Sequence, residues 1–170
     1  TKKWTNIGSG VTTDEKFTFA LLDMFNQVVY DDNSSLLQIY PEGFTNAQRQ
    51  AFSNKLSIEA SQGFYILEDF EFTYKANQKL NVTFKSSAIP SFTRLPIPDL
   101  ETSTDLTVEI SFRNCGIGEF SIQVNGFASC ENCPAGFWQV NPDTTALACE
   151  PCDSDSMICR GGNLVGPNYG

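Results

Sequence analysis

The sequence predicts an all-β chain: an immunoglobulin-like β-sandwich followed by a small disulfide-stapled, cysteine-rich module. Three observations carry the prediction. Segments in the first two thirds alternate apolar and polar residues, as half-buried antiparallel strands do. Turn-forming clusters separate those segments at short intervals, the rhythm of a two-sheet sandwich. All six cysteines fall between Cys115 and Cys159, so the chain divides near residue 114 into a Cys-free part, 1–114, and a Cys-dense part, 115–170.

Along the first part, "KFTFALLD" (16–23), "SLLQIY" (35–40), "KLSIEA" (55–60) and "GFYIL" (63–67) are short strand candidates. The clearest alternation follows. In "FEFTYK" (70–75) Phe70, Phe72 and Tyr74 take one face. Leu80, Val82 and Phe84 do so in "LNVTFK" (80–85), and Leu106, Val108, Ile110 and Phe112 in "LTVEISFR" (106–113). "FSIQVN" (120–125) adds a strand beyond Cys115. Turn chemistry lies at 31–35, 41–43, 61–63 and 75–79. One short helix is expected over 45–56, capped by Asn46. Pro90, Pro96 and Pro98 would break any ladder, so 86–105 is expected to cross over between strands, the alternative being an extended polyproline-like segment.

Composition narrows the function. With 11 Lys and Arg against 20 Asp and Glu, a net charge of −9 and no basic stripe, nucleic acid is excluded as a partner. No run approaches the ~20 apolar residues that span a bilayer, so no direct membrane insertion is expected. Histidine is absent, which removes Ser-His-Asp and Cys-His nucleophiles and every His-ligated metal. No pair of carboxylates stands out for acid–base work. No catalytic residue is assigned, and the chain is expected not to be an enzyme.

Cys115, Cys130, Cys133, Cys149, Cys152 and Cys159 are separated by 14, 2, 15, 2 and 6 residues. Cys130, Cys133, Cys149 and Cys152 have a spacing that a four-cysteine zinc site could use, but Cys115 and Cys159 would then be spare. Disulfides use all six, and they suit a segment too small to bury a sufficient core unaided. Disulfides are therefore expected, with no metal. Fifteen pairings are open; a ladder along the chain is expected, Cys115–Cys130, Cys133–Cys149 and Cys152–Cys159.

The stretch "CENCPAGFWQV" with "CEPC" and "CRGGNLVGPNYG" resembles the cysteine-rich repeats of large protist cell-surface proteins, themselves similar to ephrin-receptor-like and tumour-necrosis-factor-receptor-like modules. Cys133 to Phe137 and Cys159 to Gly162 carry the resemblance. "FALLDMFNQVVYDDNSS" and "ASQGFYILEDFEFTY" resemble the immunoglobulin-like domain that precedes such repeats, with Asp23, Asn26, Asp32, Gly63 and Phe64 where that pattern has turn residues. The resemblance covers most of residues 16–170. It implies a secreted or surface-exposed protein and no catalytic activity.

Asn33-Ser34-Ser35 and Asn81-Val82-Thr83 are N-glycosylation sequons, one in a turn and one on the polar face of a strand. N-linked glycans are thus expected at Asn33 and Asn81, and no other cofactor. The acidic turns at 31–33 and 153–156 could offer oxygen to Ca²⁺, but neither matches an EF-hand loop.

Residues 1–13, "TKKWTNIGSGVTT", read in two ways: as a tail or first strand of the sandwich, or as an arm. Gly8 and Gly10 would hinge the arm, and Trp4, Ile7 and Val11 would fill pockets on a neighbour's open sheet edge. A head-to-tail contact that does not close makes a filament; residues 161–170 could serve likewise. The expected function is a non-catalytic extracellular structural glycoprotein, polymerising with itself into a surface fibre. The alternative is an adhesion or recognition module that binds a protein or glycan.

Overall fold

A computed structural model of the chain describes residues 2–89, 105–124, 126–140, 148–152, 157–162 and 165–167. The described residues are mostly β, with one short helix and three disulfides. They fall into two compact units assembled from non-consecutive stretches. One comprises Thr1–Trp4, Thr13–Phe70 and Leu80–Ile110; the other Thr5–Thr12, Glu71–Lys79 and Ser111–Gly170. The crossover expected at 86–105, with Pro90, Pro96 and Pro98, lies largely outside the described residues, as does the acidic turn at 153–156.

The strands β1 (Lys2–Ile7), β3 (Leu36–Pro41), β4 (Ser57–Glu59), β6 (Lys79–Ser86) and β7 (Asp105–Phe112) form one sheet in the order β1-β7-β6-β3-β4; most of its residues belong to the first unit, while Thr5–Ile7, Lys79, Ser111 and Phe112 are counted in the second. This sheet curls into half of a barrel. Alternation decides which face is buried. Leu80, Val82 and Phe84 are buried on β6, and Val108, Ile110 and Phe112 on β7. Antiparallel pairing of β3 with β6 sets Ile39 opposite Phe84, so two large apolar side chains meet on the buried side. A separate ribbon pairs β2 (Phe17–Ala20) with β5 (Phe64–Leu67), Phe19 opposite Tyr65. Phe19 of the ribbon meets Phe84 of the sheet at 4.9 Å between ring centroids.

The helix, α1 (Asn46–Phe52), is shorter than the sequence suggested and is capped one residue earlier. Thr45, not Asn46, is the N-cap. Its hydroxyl accepts from the Gln48 amide, and Gln48 Oε1 accepts from the Thr45 amide at 2.9 Å. This reciprocal capping box satisfies two main-chain donors at once. The helix ends after Phe52, its one buried side chain, because Ser53 turns extended and closes a local bond with Lys55.

"FEFTYK" is not a continuous strand. Phe70 and Phe72 are fully buried, as the alternation required, and they make isolated bridges, to Thr13 and Ser9 respectively. At Tyr74 a side chain occupies the main-chain groups. Ser9 Oγ accepts from the Tyr74 amide at 2.9 Å and lies 2.7 Å from the Tyr74 carbonyl.

In the second unit, β8 (Glu119–Val124) and β9 (Phe127–Asn132) form an antiparallel hairpin. Two small ribbons follow: β10 (Phe137–Trp138) with β11 (Glu150–Pro151), and β12 (Met157–Cys159) with β13 (Val165–Pro167). Disulfides supply much of the cohesion that apolar burial provides elsewhere. Beside them, Tyr74 packs against Phe112 at 5.6 Å and Phe127 at 6.0 Å between ring centroids.

Candidate functional site

Cys115 is bonded to Cys130, Cys133 to Cys149 and Cys152 to Cys159, and no free cysteine remains. The bonds run in chain order, and the two cysteines of each C-x-x-C pair outward. Cys115, Cys130, Cys133 and Cys159 are buried. Among the described residues, no group of three or more Cys, Asp, Glu or His could hold a metal ion, and with every sulfur in a disulfide no thiolate is left for zinc.

The N-terminal segment is seated on its own chain. Trp4 is buried in the first unit, stacked on Phe17 with ring centroids 3.8 Å apart and within 5.5 Å of Phe84. Ile7 is 4% exposed and its carbonyl accepts from the Arg113 amide; Val11 is half-buried. Lys3 on the same strand pairs with Glu109 at 3.5 Å. β1 lies at one margin of the sheet, paired within it to β7 alone.

Ser9 holds this segment in the second unit. Its hydroxyl is fully buried and stands 2.7 Å from the Tyr74 carbonyl and 2.5 Å from that of Ala128. One hydroxyl proton serves both acceptors, while the oxygen accepts the Tyr74 amide. The Ser9 carbonyl accepts from the Cys130 amide at 2.7 Å. The next residue, Gly10, has φ +69°, and a Cβ there would fall 1.7 Å from Ser129 Oγ. In this structure Gly10 is set by close approach and a left-handed backbone, where the sequence suggested a hinge.

The five positions singled out by resemblance do sit at turns or at the start of a strand. Asp23 Oδ1 accepts from the amides of Phe25 and Gln27. Asn26 has φ 60° and Gly63 φ 74°; Phe64 begins β5. Asp32 starts a directed chain of hydroxyls that the sequence did not reveal. The Ser35 hydroxyl donates to the Asp32 carboxylate and so accepts from Tyr65, whose hydroxyl is 2.6 Å away. Tyr65 in turn accepts from Ser86 at 2.7 Å. The Ser35 hydroxyl, helped by the Ser34 and Ser35 amides, holds the Asp32 carboxyl below its ordinary value. These bonds fix the turn at 31–35 onto β5 and β6.

Both sequon asparagines are exposed. Asn33 Oδ1 accepts from the Gln62 amide at 2.8 Å, and its Nδ2 donates to the Asp31 carbonyl at 3.3 Å. Asn81 lies on β6 on the face opposite Leu80 and Val82, with Nδ2 donating to Glu42 at 2.9 Å. An open cleft of about 630 Å³ surrounds it, lined by Tyr40, Pro41, Glu42, Thr83, Lys85 and Thr107.

In the second unit the Arg113 guanidinium makes a two-pronged contact with Glu119, at 2.6 and 2.8 Å. Glu119 also accepts from the Gly116 amide at 2.6 Å, which ties the loop that carries Cys115. The Arg113 hydrogen bonds, then the Gly116 amide and the charge of Arg113, hold the Glu119 carboxyl below its usual range against the opposing effect of burial.

Among the described residues, no helix is long and apolar enough to cross a membrane. The chain matches no family model, no curated protein and no solved structure.

Proposed function

We propose that this chain is a non-catalytic extracellular structural glycoprotein, the subunit of a surface fibre built by head-to-tail strand exchange. In this reading residues 1–114 form an immunoglobulin-like sandwich, 115–170 are its stapled extension, and Asn33 and Asn81 carry glycans. The observation that carries the reading is β1: a strand at the margin of the sheet whose largest anchor is one ring, Trp4 against Phe17. A seat of this kind accepts the same strand from a neighbouring copy with the same hydrogen bonds and the same ring contact. Three disulfides in a short segment support an oxidising compartment. Electron microscopy of the native protein in non-reducing buffer tests the reading. Filaments with a regular axial repeat are expected, and dispersed particles at high concentration would count against it.

The second reading is a recognition module that binds a glycan or protein. It is favoured by the cleft beside Asn81, where Tyr40, Glu42, Thr83 and Lys85 combine an aromatic ring with hydrogen-bonding groups. Arg49 already covers the Tyr40 ring at 3.9 Å, which weakens that cleft as a stacking platform for sugars. A specific ligand recovered without self-association would move the function to this reading.

A further inference from the structure

Between β2 and β3 the chain turns back on itself at residues 22–28, closed by an antiparallel bridge from Leu22 to Val28. The tip is rigidly defined. Asp23 Oδ1 accepts from the Phe25 amide at 2.8 Å and the Gln27 amide at 2.9 Å, and the Asp23 amide donates to the Gln27 carbonyl. This turn holds Met24 and Phe25 outward, 71% and 72% exposed. Adjacent large apolar side chains presented in this way contribute little to their own core and mark a contact surface.

Charge says what kind of surface they meet. Residues 17–48 contain no Lys or Arg but include Asp23, Asp31, Asp32 and Glu42. A complementary surface needs an exposed apolar side chain beside a cation. The second unit has one: an open cleft of about 490 Å³ whose lining includes Ile117, Asn132, Ala135 and Arg160. Ile117 is 57% exposed. Arg160 is exposed and makes no ion pair among the described residues, whereas Glu119, also in the lining, is neutralised by Arg113.

We infer that the Met24–Phe25 tip of one copy docks in this cleft of a second copy, with Asp23 set against Arg160. The inference rests on the fibre reading and names a contact within it. Knob and socket are different surfaces, so the contact is heterologous and suits an open assembly.

Sedimentation velocity of the full chain in non-reducing buffer tests it. Phe25→Ser alters an exposed residue and is expected to weaken association about tenfold or more. Asp23→Asn keeps the Oδ1 acceptor and removes the charge. Asp23→Asn and Arg160→Gln are each expected to weaken association several-fold, roughly 3- to 10-fold, with the double variant no weaker than either. If the parent associates and Phe25→Ser associates equally well, the docking contact is wrong and the fibre reading stands. Additive effects of Asp23→Asn and Arg160→Gln would overturn their pairing. A parent that stays monomeric sinks both ideas. Flotation of the parent, but not of Phe25→Ser, with phosphatidylcholine vesicles and without self-association would assign the tip to lipid instead.

Discussion

The indole of Trp4 lies parallel to the ring of Phe17, 3.8 Å away between centroids and 15° from coplanar. Trp4 also touches Phe19, Phe70 and Phe84, so one side chain from β1 is surrounded by rings from the ribbon, the sheet and the segment after β5. Replacing it by alanine leaves a large cavity, and Trp4→Ala is expected to cost about 3–5 kcal/mol. Urea unfolding checks this. A midpoint within error of the parent's would mean that β1 is not seated in solution as it is here.

Ser9→Ala tests the other hold on the N-terminal segment. The substitution strips the Tyr74 amide of its acceptor and two carbonyls of a donor inside a buried site. A loss of about 1–3 kcal/mol is expected. Hydrogen exchange should speed up at the Tyr74 amide specifically; unchanged protection there would contradict the arrangement.

Acid should weaken the second unit through Glu119. Its folded value is lowered, chiefly by the Arg113 hydrogen bonds, so its contribution is complete above the unfolded carboxyl value, roughly 4.3, and is lost as pH falls through the folded one. Arg113 has its value raised and stays charged throughout, so it adds no slope of its own. Stability measured against pH should therefore fall less steeply below about pH 5 in Glu119→Gln than in the parent. Identical acid limbs would show that the pair is not formed in solution.

The Cys133–Cys149 bond encloses a loop with a sequence separation of 16, and in the chain-entropy model closing such a loop stabilises by about 3 kcal/mol. Replacing both cysteines by serine should lower stability by that order. Peptide mapping without reduction should recover three cross-linked pairs in chain order; a Cys130–Cys133 or Cys149–Cys152 link would overturn the ladder.

How much of this was legible depended on whether neighbours in sequence were also neighbours in space. β6 and β7 were plain, because alternation alone sends Leu80, Val82, Phe84, Val108, Ile110 and Phe112 to the buried face. The cysteine ladder joins consecutive members of the series, but proximity does not select it, because Cys133 is nearer to Cys130 in sequence than Cys115 or Cys149 is to its partner. "FEFTYK" misled because the same alternation is satisfied by two isolated bridges once Ser9, 65 residues away from Tyr74, takes over the main-chain groups. No local signal announces such a partner. The Thr45–Gln48 capping box is written in the sequence as T-x-x-Q, and it caps the helix one residue before Asn46. "KFTFALLD" read as one strand to residue 23, but β2 ends at Ala20; the Asp23-x-x-Asn26 turn that follows projects Met24 and Phe25 outward, and a period-2 reading cannot show which apolar residues a turn will expose. The hydroxyl chain through Ser35, Tyr65 and Ser86 joins three distant segments and left no trace in the pattern.

The most direct test of the exchange at the centre of this account uses the Lys3–Glu109 pair, 3.5 Å apart between β1 and β7. Light and ¹⁵N-labelled chains would be mixed, unfolded with disulfides intact, allowed to assemble, and treated with a carbodiimide that joins touching amines and carboxylates without a spacer. The Lys16–Glu68 pair, at 3.0 Å and C-terminal to the exchanged segment, is the internal control. Strand exchange predicts Lys3–Glu109 cross-links that combine light with heavy peptides, while Lys16–Glu68 cross-links stay purely light or purely heavy. Lys3–Glu109 cross-links confined to single chains within assembled material would contradict it, and β1 would then be a strand of its own subunit only.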